Sequence, residues 1–325
     1  MSSQASEPLT IPPLVFDPGA AESLATIPLS PGQLAWRRFK RHRMAVAGSV
    51  GLILIILFIV VGSFVYTEKY ANRLDLAHRL EAPSAAHYFG TDSTGRDLFA
   101  RIIYGGQISL FIGVLAVLVA LILGITIGGV AGLLSGWVDS VLMRFTEAIL
   151  SIPSLFLLII LGKLFGSEIP TLNLMGRTFS GSVIVVILVI GLTSWMYLAR
   201  IVRANILSLR EMDYVSAARA LDSGNLRILI RHLIPNTMMA IIVTAARGLA
   251  QAIISEAYVS FLGLGVQPPT ASWGNLMDQS ISLIQRGVWW MWVFPSLFIV
   301  MTILFTNFIG DGLRDALDPR STRHL

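Results

Sequence analysis

The sequence predicts an all-α polytopic membrane protein with six transmembrane helices, and three observations lead there. Hydrophobic residues fill 54% of the 325 positions and charged residues only 13%, about half the charged share usual in soluble domains. The apolar residues collect into runs long enough to cross a ~30 Å hydrocarbon core, and the mean hydropathy is +0.73. A polar stretch at 214–236 interrupts those runs late in the chain, and it is longer than a turn between two spans requires.

There is no cysteine, which excludes disulfides, thiolate metal sites and cysteine nucleophiles. A net charge of +5 and a pI near 9.8 raise nucleic acid as a partner. The basic residues flank apolar runs instead of forming a stripe, so no nucleic-acid partner is expected.

Residues 1–35 hold no Lys or Arg but carry Glu7, Asp17, Glu22 and Pro8, Pro12, Pro13, Pro18, Pro28 and Pro31. A signal peptide needs basic residues ahead of its apolar core, so this stretch reads as a disordered cytoplasmic tail. The spans are expected at about 44–66, 106–136, 141–165, 181–206, 237–264 and 291–312. The second is long enough to project past the bilayer, and its Gly124, Gly128, Gly132 and Gly136 recur every fourth residue. Such a stripe suits close packing, either within this chain or against another subunit.

Arg37, Arg38, Lys40, Arg41 and Arg43 precede the first span, which by the positive-inside rule puts the N-terminus in the cytoplasm. Six crossings return the C-terminus to the same side. Fifteen Lys and Arg then fall in inside segments, eight in outside segments, and Arg247 within the fifth span. The 214–236 loop is cytoplasmic on this reading, and 67–105 and 265–290 face outward.

Within the loop, Tyr214, Ala217, Ala218 and Leu221 fall at i, i+3, i+4, i+7, as do Leu226, Leu229, Ile230 and Leu233. Two successive amphipathic helices are expected. Asp213 would cap the first, Gly224 would supply the left-handed turn that ends it, and Pro235 would open the fifth span. Arg227 and Arg231 share the face opposite the apolar one. The short, alanine-rich face favours a protein groove over a hairpin lying on lipid.

FGTDSTGRD at 89–97 mimics the glycine spacing of a phosphate loop, but Arg96 and Asp97 stand where Lys and Ser/Thr are needed. A turn-rich external cap explains it better. The histidines at 42, 78, 87, 232 and 324 show no metal-site spacing. FSGS at 179–182 has no histidine in any span to activate a serine, and reads as a helix start. Glu147, Lys163, Arg247 and Glu256 lie within or near the bilayer, where ionisable groups face polar cavities or find partners. Arg247 and Glu256 are nine residues apart, about 13 Å along a helix, so they cannot pair with each other. Each either lines a solute path or serves as a structural polar anchor. Trp273 and Gly274, after Pro268 and Pro269, read as part of an external mouth or as an anchor at headgroup level.

At the loop the residues resemble the EAA signature of bacterial ABC importer permeases, E-A-A-x-x-x-G followed by I/L-x-x-P. Ala217, Ala218, Leu233 and Pro235 match it, while Ser216 replaces the Glu and Asp222 the Gly, with Gly224 two residues later. A Glu at 216 would complete a capping box with Asp213, so Ser216 predicts a weaker helix start, and the displaced glycine predicts a shifted turn. WRRFKRHRMAVAG (36–48), FGTDSTGRDLFARIIYGGQISL (89–110), SEAYVSFLGLGVQPPTASWGNLM (255–277) and GDGLRDALDPR (310–320) resemble the C-type subunit of the dipeptide/oligopeptide/nickel permeases. The resemblance runs from about 36 to 320.

The resemblance implies the type I importer permease fold in a bacterial inner membrane. Residues 36–66 would form a basic segment and first span, 67–105 an external segment, 106–312 a core permease domain with a coupling loop at 210–236, and 313–325 a cytoplasmic tail. It implies a second, homologous permease subunit, two cytoplasmic ATPases held through the loop, an external substrate-binding protein, and no cofactor or catalytic residue. The coupling residues would be Tyr214, Ser216, Ala217, Ala218, Leu221, Asp222, Gly224, Arg231 and Pro235. Peptides are the commonest solute of this subfamily, with nickel, glutathione and sugars as variants. A proton-coupled carrier is the alternative from another class.

Overall fold

A computed structural model of the chain describes residues 30–165, 170–174 and 177–318. Most of residues 1–35 and the end of the C-terminal tail, with His324, lie outside these. The first helix, α1 (Pro31–Arg41), starts earlier than the composition implied. Ser30 and Gln33 cap each other's backbone amides and Pro31 sits at the first helical position, so 31–35 are helical and are no part of a disordered tail.

After His42 the chain enters α2 (Arg43–Val65), then a short α3 (Glu68–Ala71). α4 (Leu98–Leu134) has 37 residues, about 55 Å at 1.5 Å per residue, and so outruns a ~30 Å core. It begins inside the segment expected to be external, because Asp97 caps it by accepting from Ala100 N–H at 2.9 Å.

The third span is not one continuous helix. α5 (Gly136–Leu150) and α6 (Ser154–Phe165) meet at 82°. Pro153 between them lacks the N–H that would continue the ladder. Among the described residues, five helices are long and apolar enough to cross a membrane, or six if this bent pair counts as one span. A two-stranded hairpin, β1 (Leu172–Leu174) with β2 (Arg177–Phe179), interrupts an otherwise helical fold. α7 (Ser182–Leu209), α8 (Asp213–Ala220), α9 (Asn225–Phe261), α10 (Trp273–Asp278) and α11 (Trp290–Leu317) complete it. α11 extends through 313–317, which the sequence had assigned to a tail.

The glycine stripe packs within the chain. A side chain at Gly128 would lie 2.3 Å from the Ala199 carbonyl oxygen, so the backbones of α4 and α7 approach directly there, and side chains at Gly124 and Gly132 would come within 2.8 Å of Leu198 and 2.9 Å of Ile206. Gly136 departs from the stripe: it has positive φ, opens α5, and has nothing within 4 Å of where a side chain would start.

At the Leu98 end of α4 the 89–97 motif forms a tight cap. Asp92 Oδ1 accepts from Thr94 N–H and Arg96 N–H, and Oδ2 from Arg96 Nε at 2.7 Å. Arg101 Nε lies 3.8 Å from the same carboxylate. Burial pushes the Asp92 carboxyl up, but the Arg101 and Arg96 guanidiniums and the Thr94 bonds outweigh it and hold the group below the ordinary carboxylate range. Gly95 is required here, since a side chain would collide with the Asp75 carbonyl at 1.6 Å. Gly90 also takes a positive φ, with the Glu81 carbonyl oxygen 2.5 Å from where a side chain would start, so both glycines of the motif serve the turn.

Candidate functional site

The 210–236 loop sits at the far end of α4 from the cap, where Arg210 donates to the Gly132 carbonyl. α8 does not start as expected: Met212 is its N-cap residue and Asp213 its first helical position. No side-chain cap bond forms. Asp213 still places an acidic group in the first turn, where the helix dipole favours it.

α8 ends in a complete Schellman turn. Ser223 N–H donates to the Ala218 carbonyl at 3.1 Å and Asp222 N–H to the Arg219 carbonyl at 3.0 Å, and Asp222 takes φ +56° between them. The left-handed position therefore falls on Asp222. Gly224, at φ −61°, is extended and caps the next helix. The turn is not shifted; aspartate simply occupies the position that glycine favours, which its short polar side chain tolerates.

The expected apolar face is split. Val215 and Ala218 are buried in a cluster with Leu198, Val202, Ile206, Ile228, Leu229, Leu233 and Ile241. Tyr214, Ala217 and Leu221 face outward, Leu221 at 82% exposure. The second set splits too, with Leu229 and Leu233 buried and Leu226 and Ile230 exposed. A π turn at Leu229–Leu233 causes this, because its wider period moves the inward positions to 228, 229 and 233. The turn runs without a break into the helix carrying Pro235, so there is no separate second loop helix: α9 begins at Asn225. Arg231 is exposed, and His232 lies with its ring 6.4 Å from that of Tyr214. What projects is a polar end studded with Met212, Tyr214, Ala217, Leu221, Leu226 and Ile230.

The other sequence-marked residues lie elsewhere. Glu256 is fully buried, and its oxygens accept from Ser109 Oγ at 2.8 Å and Ser260 Oγ at 2.7 Å. Trp273, expected at an external mouth or as a headgroup anchor, does not present its side chain at the protein surface. It is wholly buried, donating Nε1–H to the Ile102 carbonyl at 3.0 Å and its backbone N–H to Ser109 Oγ. Gly274 lies where a side chain would reach Ala257 Cα at 2.9 Å. Arg247 Nη2 lies 3.4 Å from Asp311 Oδ1, joining α9 to α11 with both side chains more than half exposed. Two contacts had no sequence signal: the Val215 anchor, and Arg203 bound to Asp139 by two hydrogen bonds between α7 and α5.

Comparison with known proteins assigns this arrangement. Residues 124–323 match the model of the binding-protein-dependent transport system inner membrane component. The chain belongs to that family. Residues 30–83 of this transport component also match the N-terminal TM domain of oligopeptide transport permease C, covering α1, α2 and α3. It is 40% identical to the dipeptide transport system permease protein DppC of Bacillus subtilis, over 93% of this chain and 90% of that protein. It is 35% identical to the glutathione transport system permease protein GsiD of Pectobacterium atrosepticum, over 91% and 96%. The oligopeptide transport system permease protein OppC of B. subtilis is 35% identical, over 95% and 98%. The component is thus a multi-pass inner-membrane ABC permease, and the region matched by the family model holds both the 210–236 loop and Glu256.

Proposed function

We propose that this permease forms half of the translocation path of an ATP-driven importer for di- or oligopeptides. On this reading an external binding protein delivers the solute, a second, homologous permease completes the path, and two cytoplasmic ATPases hydrolyse ATP. The observation that carries it is α8: Val215 and Ala218 root it in the bundle while Tyr214, Ala217 and Leu221 stand free for an ATPase groove. Peptides are favoured because the relatives' names cover dipeptides, oligopeptides and glutathione, all chains of amide-linked amino acids. The Lys and Arg asymmetry supports a cytoplasmic position for both termini and the loop.

The decisive experiment reconstitutes the chain in liposomes with its partner permease, ATPases and binding protein, and follows labelled dipeptide uptake. ATP-dependent accumulation that needs every subunit supports the proposal. Uptake by this chain alone, driven by a proton gradient, would replace it with the carrier reading. Uptake of nickel or glutathione in preference to dipeptides would change the solute and keep the mechanism.

A further inference from the structure

We propose that α1 is a membrane-surface helix that binds the headgroups of anionic phospholipids through its Arg37, Lys40 and Arg41, together with Arg43 at the start of α2. Its inner face is fixed on the protein. Phe39 is buried with Ala45 and Ala316 beside Gly312, where a side chain would come within 3.3 Å of the Phe39 ring. Arg38 donates to the Asp318 carbonyl at 3.1 Å, and His42 Nε2 lies 3.4 Å from Asp315 Oδ2. These contacts hold α1 against the end of α11 and set which side looks outward.

The outward side combines charge with apolar surface. Arg37, Lys40, Arg41 and Arg43 are exposed, and α1 contains no Asp or Glu. Among the described residues no carboxylate pairs with any of the four. Trp36 is 58% exposed, with Lys40 Nζ 5.0 Å from its ring centroid. An indole beside an ammonium suits the headgroup layer, where one side of the ring meets hydrocarbon and the other water.

Position decides the partner. One residue, His42, separates α1 from α2, and its Nδ1 accepts from Ala45 N–H in the first turn of α2. α2 exposes Met44, Val46 and Val50, so the hydrocarbon boundary lies within about two turns of Arg43. α1 therefore lies beside the phosphate layer. A helix with a basic polar side and an aromatic at that depth lies in the interface, and anionic headgroups attract each cation there. The inference rests on the chain spanning the membrane and is independent of the role proposed for α8.

The test is native mass spectrometry of the full-length chain in neutral detergent, titrated with phosphatidylglycerol or phosphatidylcholine. Phosphatidylglycerol is expected to bind about tenfold more tightly, with a preference that falls at least about fivefold in the R37Q/K40Q/R41Q variant. The charge-preserving R37K/R41K variant should keep it. None of these side chains packs inward, and an unchanged thermal midpoint will show that the fold survives. Equal binding of the two lipids, or a preference untouched by the glutamine variant, overturns the proposal. So does a glutamine variant that keeps its lipid preference but no longer co-purifies with ATPase subunits, which would make this side a protein contact.

Discussion

The Ser109 hydroxyl donates to the Glu256 carboxylate at 2.8 Å, joining α4 to α9 across 147 positions of sequence. The same oxygen accepts the Trp273 amide hydrogen at 3.1 Å, so one serine ties both helices to α10. Replacing Glu256 with Leu leaves the buried Ser109 and Ser260 hydroxyls without this acceptor, at about 1–3 kcal/mol for each unsatisfied group. The thermal midpoint in detergent should fall clearly for Glu256→Leu and less for Glu256→Gln, which keeps a carbonyl acceptor. A leucine variant as stable as the parent would remove the anchoring role.

The turn after α8 should tighten when Asp222 becomes Gly. Relief of the left-handed strain at φ +56° is worth about 1 kcal/mol, read as a higher midpoint. Gly224→Ala should be close to neutral, since its φ is ordinary and nothing lies within 4 Å. The opposite pattern would return the turn to Gly224.

Ala218 and Leu221 should fail in different ways. Ala218→Asp places a charge in the cluster around Val215 and Leu233, costing several kcal/mol and lowering membrane abundance. Leu221→Asp changes an 82% exposed side chain, so abundance should hold while peptide uptake falls. Normal uptake in the Leu221 variant would mean that this part of α8 does not couple to the ATPase.

The cap should lose stability in acid. The folded Asp92 carboxyl titrates below its ordinary value near 3.8. Its contribution is therefore fully present above that value and is lost as pH falls through the lower folded value. In Asp92→Asn the midpoint should be lower at neutral pH, and its gap to the parent should narrow as pH drops below about 3.8. A gap that stays constant across that window would show that the carboxylate charge contributes nothing.

Because the native chain has no cysteine, orientation can be read from single introduced ones. Cysteine at the exposed Ser84 or Ser282 should react with an impermeant maleimide in intact cells, and cysteine at the exposed Ser216 only after lysis. The reverse labelling would invert the topology.

The resemblance of its motifs to a known family pointed to the permeases, while periodicity and composition by themselves determined the apolar runs and the polar loop between two of them. These follow from local chemistry: a run of apolar side chains has to leave water whatever its neighbours are. The 82° break at Pro153 could also have been read locally, but the continuous hydropathy on either side hid it. Tertiary structure alone decided which residues of α8 face in, because Val215 acquires its partners from α7 and α9, and a π turn resets the helical period that the sequence count assumes. It also moved Trp273 from surface to core. An indole after two prolines looks exposed until Ser109 and the Ile102 carbonyl, distant in sequence, supply acceptors that let both its N–H groups be buried at little cost.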